Sequence, residues 1–177
     1  MKHIEIQYFK TTVGELLLGS VDGKLCLCDS HKREKRKSID DRIQKLINGT
    51  YIENNTEVMD LTRQQLNEYF ACKRISFDLP ILLLGTEFQK KVWHELMRIP
   101  YATTTSYLNL AKNINQPKAI RAIANANAAN AISIIVPCHR VISNNGNLAG
   151  YAGGIETKKQ LIQFETLTKK GNKCCPL

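Results

Sequence analysis

The residues with the clearest chemical potential are Pro137-Cys138-His139-Arg140-Val141. A free thiol reacts as thiolate, so its ordinary pKa of about 8.5 must be lowered by a neighbouring base or cation. His139 and Arg140 are the nearest candidates. The β-branched apolar run Ile132-Ser133-Ile134-Ile135-Val136 ahead of them reads as a buried strand that Pro137 ends, leaving Cys138 at the strand's tip and aimed into a pocket. Neighbouring side chains on an extended strand point to opposite faces, so His139 serves Cys138 only if the chain turns after Pro137 or a water bridges the two. A third group must also orient the imidazole. The bland alternative is an inert core thiol, the usual fate of a lone cysteine.

The other cysteines, Cys26, Cys28, Cys72, Cys174 and Cys175, form no pair of Cys-x2-Cys clusters. His3, Cys26, Cys28 and His31 are the only loose metal-ligand candidates, and their spacing enforces no ligand geometry, so no metal is expected. In a chain of this length without secretory features, reduced thiols are expected.

The elements around Cys138 follow from periodicity. Thr86 is placed to cap a helix in which Phe88, Val92, Leu96 and Ile99 recur at helical spacing and which Pro100 stops, with Trp93 in the core. Thr103-Thr104-Thr105-Ser106 then precedes a helix from Tyr107 to Ile114, a break at Asn115-Gln116-Pro117, and a second helix from Lys118, a helix-turn-helix pattern. Residues 119–131 hold seven alanines with Asn125, Asn127, Asn130 and the single long cation Arg121. Two readings fit: a high-propensity helix packed closely on a neighbour, or a small-residue face that approaches a nucleic-acid groove.

The N-terminal half reads as three short antiparallel strands, Ile4 to Tyr8, Gly14 to Ser20 and Leu25 to Cys28, with a turn at Asp22-Gly23. Two helices follow, one capped by Ser38 and running to about Ile47, the other over residues 55–69. The run Ile81-Leu82-Leu83-Leu84 reads as a short strand or linker next to a domain boundary, giving domains 1–84 and 85–177. The fold class is α/β (α+β): a small sheet-plus-helix domain, then a mainly helical one with the helix-turn-helix.

The chain has 177 residues with a net charge of +9. Residues 1–85 carry 13 Lys/Arg against 12 Asp/Glu, residues 86–177 carry 12 against 4, so the C-terminal half alone is strongly basic. That asymmetry points to a polyanionic partner, nucleic acid or an anionic membrane surface. No apolar run is long enough to span a bilayer and Met1-Lys2-His3-Ile4-Glu5 is no signal peptide, so a cytoplasmic location is expected, nuclear if the source is eukaryotic. The charge run at residues 31–37 reads as solvated. The basic tail ending Cys174-Cys175-Pro176-Leu177 resembles a prenylation box only superficially.

Pro137-Cys138-His139-Arg140-Val141 resembles the active-site signature of the O6-alkylguanine-DNA alkyltransferases, the methylated-DNA–protein-cysteine methyltransferases. Gly85-Thr86-Glu87-Phe88-Gln89, Val92-Trp93, Ile99-Pro100, Thr105-Ser106-Tyr107, Arg121-Ala122-Ile123, Asn130, Leu148-Ala149-Gly150-Tyr151, Gly153-Gly154 and the segment to Glu165 follow the family's order and spacing. The resemblance implies single-turnover DNA repair without cofactor: Cys138 accepts the alkyl group from O6-alkylguanine, O4-methylthymine being a further candidate, after the base flips out of the duplex. It further implies that His139 acts as base through a water, Glu165 orients it, Asn130 braces the turn, and Tyr107 gives a proton toward guanine N3. On the DNA side, Arg121 fills the vacated stack, the helix carrying Ala122 and Asn125 docks in the minor groove, and the backbone near Val136, Tyr151 and Ala152 reads the flipped base. A monomer and no membrane partner are expected.

Three positions depart from the family pattern, Ala102 and Ala124 where glycine is usual and Ala131 where proline is usual; they bear on loop geometry and DNA affinity. The zinc ligands of some relatives are replaced by Ser20 and Leu25. Two other functions remain open on sequence: a non-catalytic helix-turn-helix lesion sensor or regulator, and a thiol hydrolase using Cys138, His139 and Glu165.

Overall fold

The computed structural model describes residues 1–148 and 150–169. The chain divides into two compact units, Met1–Gly85 and a second that begins at Thr86.

The first unit is built on a four-stranded sheet. Strands β1 (Lys2–Thr11), β2 (Gly14–Val21) and β3 (Lys24–Ser30) form an antiparallel meander, with Asp22 and Gly23 both at positive φ in the two-residue turn that matches strand twist. The expected three strands are joined by a fourth, β4 (Gly49–Glu53), parallel to the N-terminal half of β1, in the order β3-β2-β1-β4. Its five residues are too short to show a period, and its pairing is non-local. Gly49 begins it because a Cβ there would lie 2.7 Å from the Lys2 carbonyl oxygen.

Helix α1 (Arg36–Ile47) connects β3 to β4 and buries Ile39 and Ile43, while α2 (Glu57–Phe70) buries Val58, Met59, Leu66 and Tyr69 in contact with β1, β2 and β3. Ser38 lies inside α1; the N-cap is Lys35, placed there by the Asp29–Arg33–Arg36 cluster that closes the entry to the helix. Cys26 and Cys28 are buried free thiols. Cys72 corrects the expectation of reduced thiols throughout, for it is disulfide-bonded. It sits half-buried past the end of α2, in a left-handed turn outside the core.

In the second unit, α3 (Glu87–Leu96) starts at a complete capping box: Thr86 Oγ1 accepts from the Gln89 amide, and Gln89 Oε1 accepts from the Thr86 amide. Helices α4 (Tyr107–Asn113) and α5 (Ile120–Ala128) form the helix-turn-helix pair, α4 capped by Ser106, whose Oγ accepts from the Asn109 amide at 3.1 Å. Helix α5 stops three residues before the expected end, at Ala128. Trp93 on α3 donates its indole N–H to the Ala126 carbonyl at 2.8 Å, locking α3 against α5. Strands β5 (Thr105–Ser106) and β6 (Val141–Ile142) make a two-residue parallel pair, and α6 (Ile155–Lys169) closes the unit.

Residues 132–136 do not form the expected strand. They coil through a tight turn in which the Val136 amide donates to the Ile132 carbonyl at 3.0 Å and Ile134 adopts φ 72°. A β-branched residue there is strained, and the cause is Asn130, whose side chain captures backbone groups that a sheet would otherwise pair.

Candidate active site

Asn130 follows the C-terminus of α5 and is buried. Its Oδ1 accepts from the Ile132 amide at 2.9 Å, and its Nδ2 donates to the Val136 carbonyl at 3.0 Å. The same Nδ2 stands 3.2 Å from Cys138 Sγ. One amide side chain thus both shapes the turn and offers the sulfur a hydrogen bond, which favours the anion. Cys138 opens a single 3-10 turn, Cys138–Arg140, and is only 2% exposed. Because the backbone turns at Pro137, the opposite-face problem of an extended strand does not arise.

His139 and Glu165 are fully buried, and His139 Nε2 lies 2.9 Å from Glu165 Oε1. Glu165 projects from the face of α6 that also buries Lys158, Leu161 and Phe164. Arg140 grips the same carboxylate: its Nε donates to Oε2 at 2.9 Å and its NH2 to Oε1 at 2.8 Å. Burial alone would raise the Glu165 carboxyl, but hydrogen bonds from His139 and Arg140 overcome it and hold the pKa at about 2. Glu165 is therefore a carboxylate, and His139 Nε2 carries the proton it accepts. Burial lowers the His139 pKa, the Glu165 contact opposes that, and Arg140 and Lys158 add to it. That direction favours the neutral imidazole, and its buried Nδ1 has no hydrogen-bond partner among the described residues, which leaves it available as an acceptor.

Tyr107 is the first residue of α4 and is buried; burial raises its phenol pKa, with Cys138 adding to the rise. Val136 is fully buried, while Tyr151 and Ala152 are half-buried in the loop before α6, where the Gly154 amide donates to the Tyr151 carbonyl. Arg121, Ala122 and Asn125 form an exposed face of α5, opposite Ile123, Ala126 and Asn127. The structure thus gathers Cys138, His139, Glu165, Asn130 and Val136, places Tyr107 within electrostatic reach of the thiol, and sets Arg121, Ala122 and Asn125 on a separate surface. Among the described residues no group of three His, Cys, Asp or Glu side chains is arranged to hold a metal; Ser20 instead pairs with Thr56 at 2.9 Å, and Leu25 is in the core.

Sequence reasoning missed several contributors. Asn127 donates to the Cys138 carbonyl at 3.4 Å, tying the inner face of α5 to the thiol's turn. The Ala102 amide donates to Glu165 Oε2 at 3.1 Å, from a residue at φ 55°, which explains why glycine suits that position. Lys158 is a wholly buried lysine whose pKa burial lowers and Cys138 partly restores. The one available signal was a charged residue on the apolar face of α6, seven positions before Glu165.

The model of the DNA-binding domain of 6-O-methylguanine DNA methyltransferase matches residues 87–167, which carry this whole arrangement. A methylated-DNA–protein-cysteine methyltransferase of Methanosarcina acetivorans is 41% identical over 157 residues, covering 89% of this chain and 95% of that protein. The chain belongs to the methylated-DNA–protein-cysteine methyltransferase family. Its relative from Methanosarcina mazei is 45% identical over 126 residues, covering 71% of this chain and 78% of the other. The crystal structure of Mycobacterium tuberculosis OGT in complex with DNA superposes with a TM-score of 0.78 at 35% identity, covering 94% of each chain. The O6-methylguanine-DNA methyltransferase of Pyrococcus kodakaraensis gives 0.67 at 25% identity, covering 92% of this chain and 98% of that one. The family's mixed α/β architecture is the one described above, with the helix-turn-helix in the matched region. Positions 170–177, which hold the cysteine-containing tail, lie outside the described residues, as does Ala149.

Proposed function

We propose that this chain repairs DNA by direct reversal, taking the alkyl group of O6-alkylguanine onto Cys138 in one irreversible turnover. The observation that carries the reading is the buried thiol bonded by Asn130 beside a neutral imidazole whose Nδ1 is open and whose Nε2–H is held by Glu165. A thiol in such a place needs a base that starts neutral, and His139 is one.

Through a water between Nδ1 and Sγ, His139 takes the thiol proton. Sulfur attacks the alkyl carbon in line; the S–C bond forms as the C–O6 bond breaks, and its electron pair passes into the guanine ring. Tyr107, kept protonated by its burial, gives a proton toward N3 as that charge develops and recovers one afterwards. The product is a thioether, which no group in the site cleaves, so each molecule acts once.

DNA docks by its minor groove on the exposed face of α5. Ala122 and Asn125 lie against the groove, and Arg121 occupies the stack that the flipped base vacates. The backbone near Val136, Tyr151 and Ala152 reads the flipped guanine. The domain at residues 85–177 does this work as a monomer without cofactor, in the cytoplasm or nucleus, and the domain at residues 1–84 supports it; the basic excess of residues 86–177 makes binding salt-dependent.

Mass spectrometry after incubation with a duplex containing O6-methylguanine tests the proposal. One methyl on the Cys138 peptide for each lesion lost is the expected result. A persistent lesion with unmodified Cys138 overturns it.

A further inference from the structure

We infer that Arg140 is a positioning residue of the transfer site: its guanidinium turns the Glu165 carboxylate onto His139 and ties both to the turn at residues 99–102. The first half rests on the fork described above. Two parallel N–H donors fix the plane of a carboxylate, which a single donor leaves free to rotate. With Arg140 on both oxygens and the Ala102 amide on Oε2, the remaining lone pair of Oε1 is directed at His139 Nε2. Orientation of Glu165 in turn selects the tautomer that leaves Nδ1 as acceptor.

The second half rests on the other side of the guanidinium. Arg140 NH1 donates to the Ile99 carbonyl at 2.8 Å, and the guanidinium carbon lies 5.6 Å from the centre of the Tyr101 ring. The backbone of this turn therefore meets the cluster twice, through the Ile99 carbonyl and the Ala102 amide. It is also the segment that leads from α3 into Ser106 and Tyr107 at the head of the helix-turn-helix. One side chain, 7% exposed, spans the base-orienting carboxylate and the entry to the DNA-binding pair.

Charge supplies an independent argument. The charged groups acting on His139 are Glu165 and Lys158 from α6 and Arg140 from its own turn. Two cations face one carboxylate, so a protonated imidazole would add a third cation to a buried site, whereas a thiolate at Cys138 would balance it. Arg140 thereby keeps His139 unprotonated and ready to accept. Exchange of the guanidinium for a neutral group of similar size removes that bias.

The consequence for rate rests on the proposed transfer reaction; the consequence for His139 does not. The test is NMR titration of the His139 ring in the full chain, wild type against Arg140→Gln and Arg140→Lys, alongside the pH profile of methyl transfer. In Arg140→Gln the midpoint of the His139 titration rises by about one pH unit or more, and the acid limb of the rate profile moves with it. Arg140→Lys keeps the charge and loses the fork, so its midpoint stays near wild type while its rate falls at every pH. A purely structural arginine would alter the melting temperature and leave the His139 midpoint in place. An unmoved midpoint in folded Arg140→Gln overturns the inference; so does a wild-type rate in Arg140→Lys, which decides the matter if the glutamine variant does not fold. Failure of wild-type protein to methylate Cys138 would sink the functional reading alone, because the His139 titration is still measured.

Discussion

Each unit of this protein buries a carboxylate that arginine grips, Asp29 in the first and Glu165 in the second, yet only the second also holds an imidazole. In the first unit Asp29 is fully buried, Arg33 donates to it at 2.6 Å and Arg36 at 3.3 Å, and Arg36 continues to Asp40, which also accepts from Tyr51. The thiols nearby lie on β3: burial pushes Cys26 up to about 12, and burial together with the Asp29 charge pushes Cys28 up as well. Cys26 donates its thiol to the Gly19 carbonyl at 3.5 Å, and the carboxylate charges of Glu5 and Asp29 act to hold Cys26 and Cys28 protonated. In the second unit the carboxylate takes its donors from an arginine, an imidazole and the Ala102 amide, and the imidazole is the chain neighbour of the thiol. Burial of a thiol and burial of an ion pair are thus neutral facts. A neighbouring imidazole held by that carboxylate, and an amide that reaches the sulfur, are what set the proposed transfer site apart from the other cluster.

Replacement of cysteines gives the widest separation. Cys138→Ala abolishes methyl transfer, whereas Cys26→Ala and Cys28→Ala transfer normally per folded molecule, as measured by lesion loss in duplex DNA. Next come the two carboxylates. Glu165→Gln lowers the transfer rate by about 100-fold or more, because the imidazole loses the partner that sets its tautomer. Asp29→Asn leaves Arg33 and Arg36 without their buried counter-charge and costs about 3–5 kcal/mol of stability, seen in denaturant unfolding, with the transfer rate of the folded fraction unchanged. Equal rate losses in both variants would erase the distinction between the clusters.

Acid sharpens the same contrast. Glu165 has a depressed pKa in the folded state, so the stability it contributes is present above the ordinary carboxylate range and is lost as pH falls toward about 2. His139 is also depressed, from an ordinary 6.5, so the unfolded chain binds its proton first and stability declines as pH drops below that value. The second unit is expected to lose stability from about pH 6.5 downward, and Glu165→Gln flattens the lower part of that curve. Smaller still, Arg121→Ala slows repair of duplex lesions roughly 10- to 100-fold through poorer base extrusion, with a much weaker effect on the free modified base. The smallest change is Ala102→Gly, which relieves a left-handed alanine and raises stability by about 0.5–1 kcal/mol in thermal unfolding.

The helical frame around the site was legible because local signals agreed there. Thr86 with Gln89, Ser106 before Tyr107, and the apolar spacing of Val92 and Leu96 all concern neighbours along one helix, and the structure places them as the periodicity predicts. Strand β4 was not legible, since three β-prone residues acquire meaning only beside β1. The run at residues 132–136 misled for the opposite reason. Its β-branched composition favours a strand, and a single side chain, Asn130, redirects it by taking the backbone's hydrogen bonds. Composition weighs each residue on its own; capture by a neighbour's amide is invisible to it.

Residue type and order alone determined that a thiol, a base and a cation stand in succession after a proline, that a helix-turn-helix precedes them, and that the positive charge lies in the same half of the chain. These are properties of neighbours in the chain, and they travel with it. The family resemblance named Glu165 as the partner of His139, but only the tertiary structure brought it, twenty-six positions further on, to 2.9 Å from the imidazole, set Arg140 on that carboxylate and on the Ile99 carbonyl, and lent the carboxylate an amide from Ala102, sixty-three positions earlier. A buried carboxylate is tolerable only where several donors converge on it. That convergence depends on how the helices pack, and no spacing along the chain encodes it.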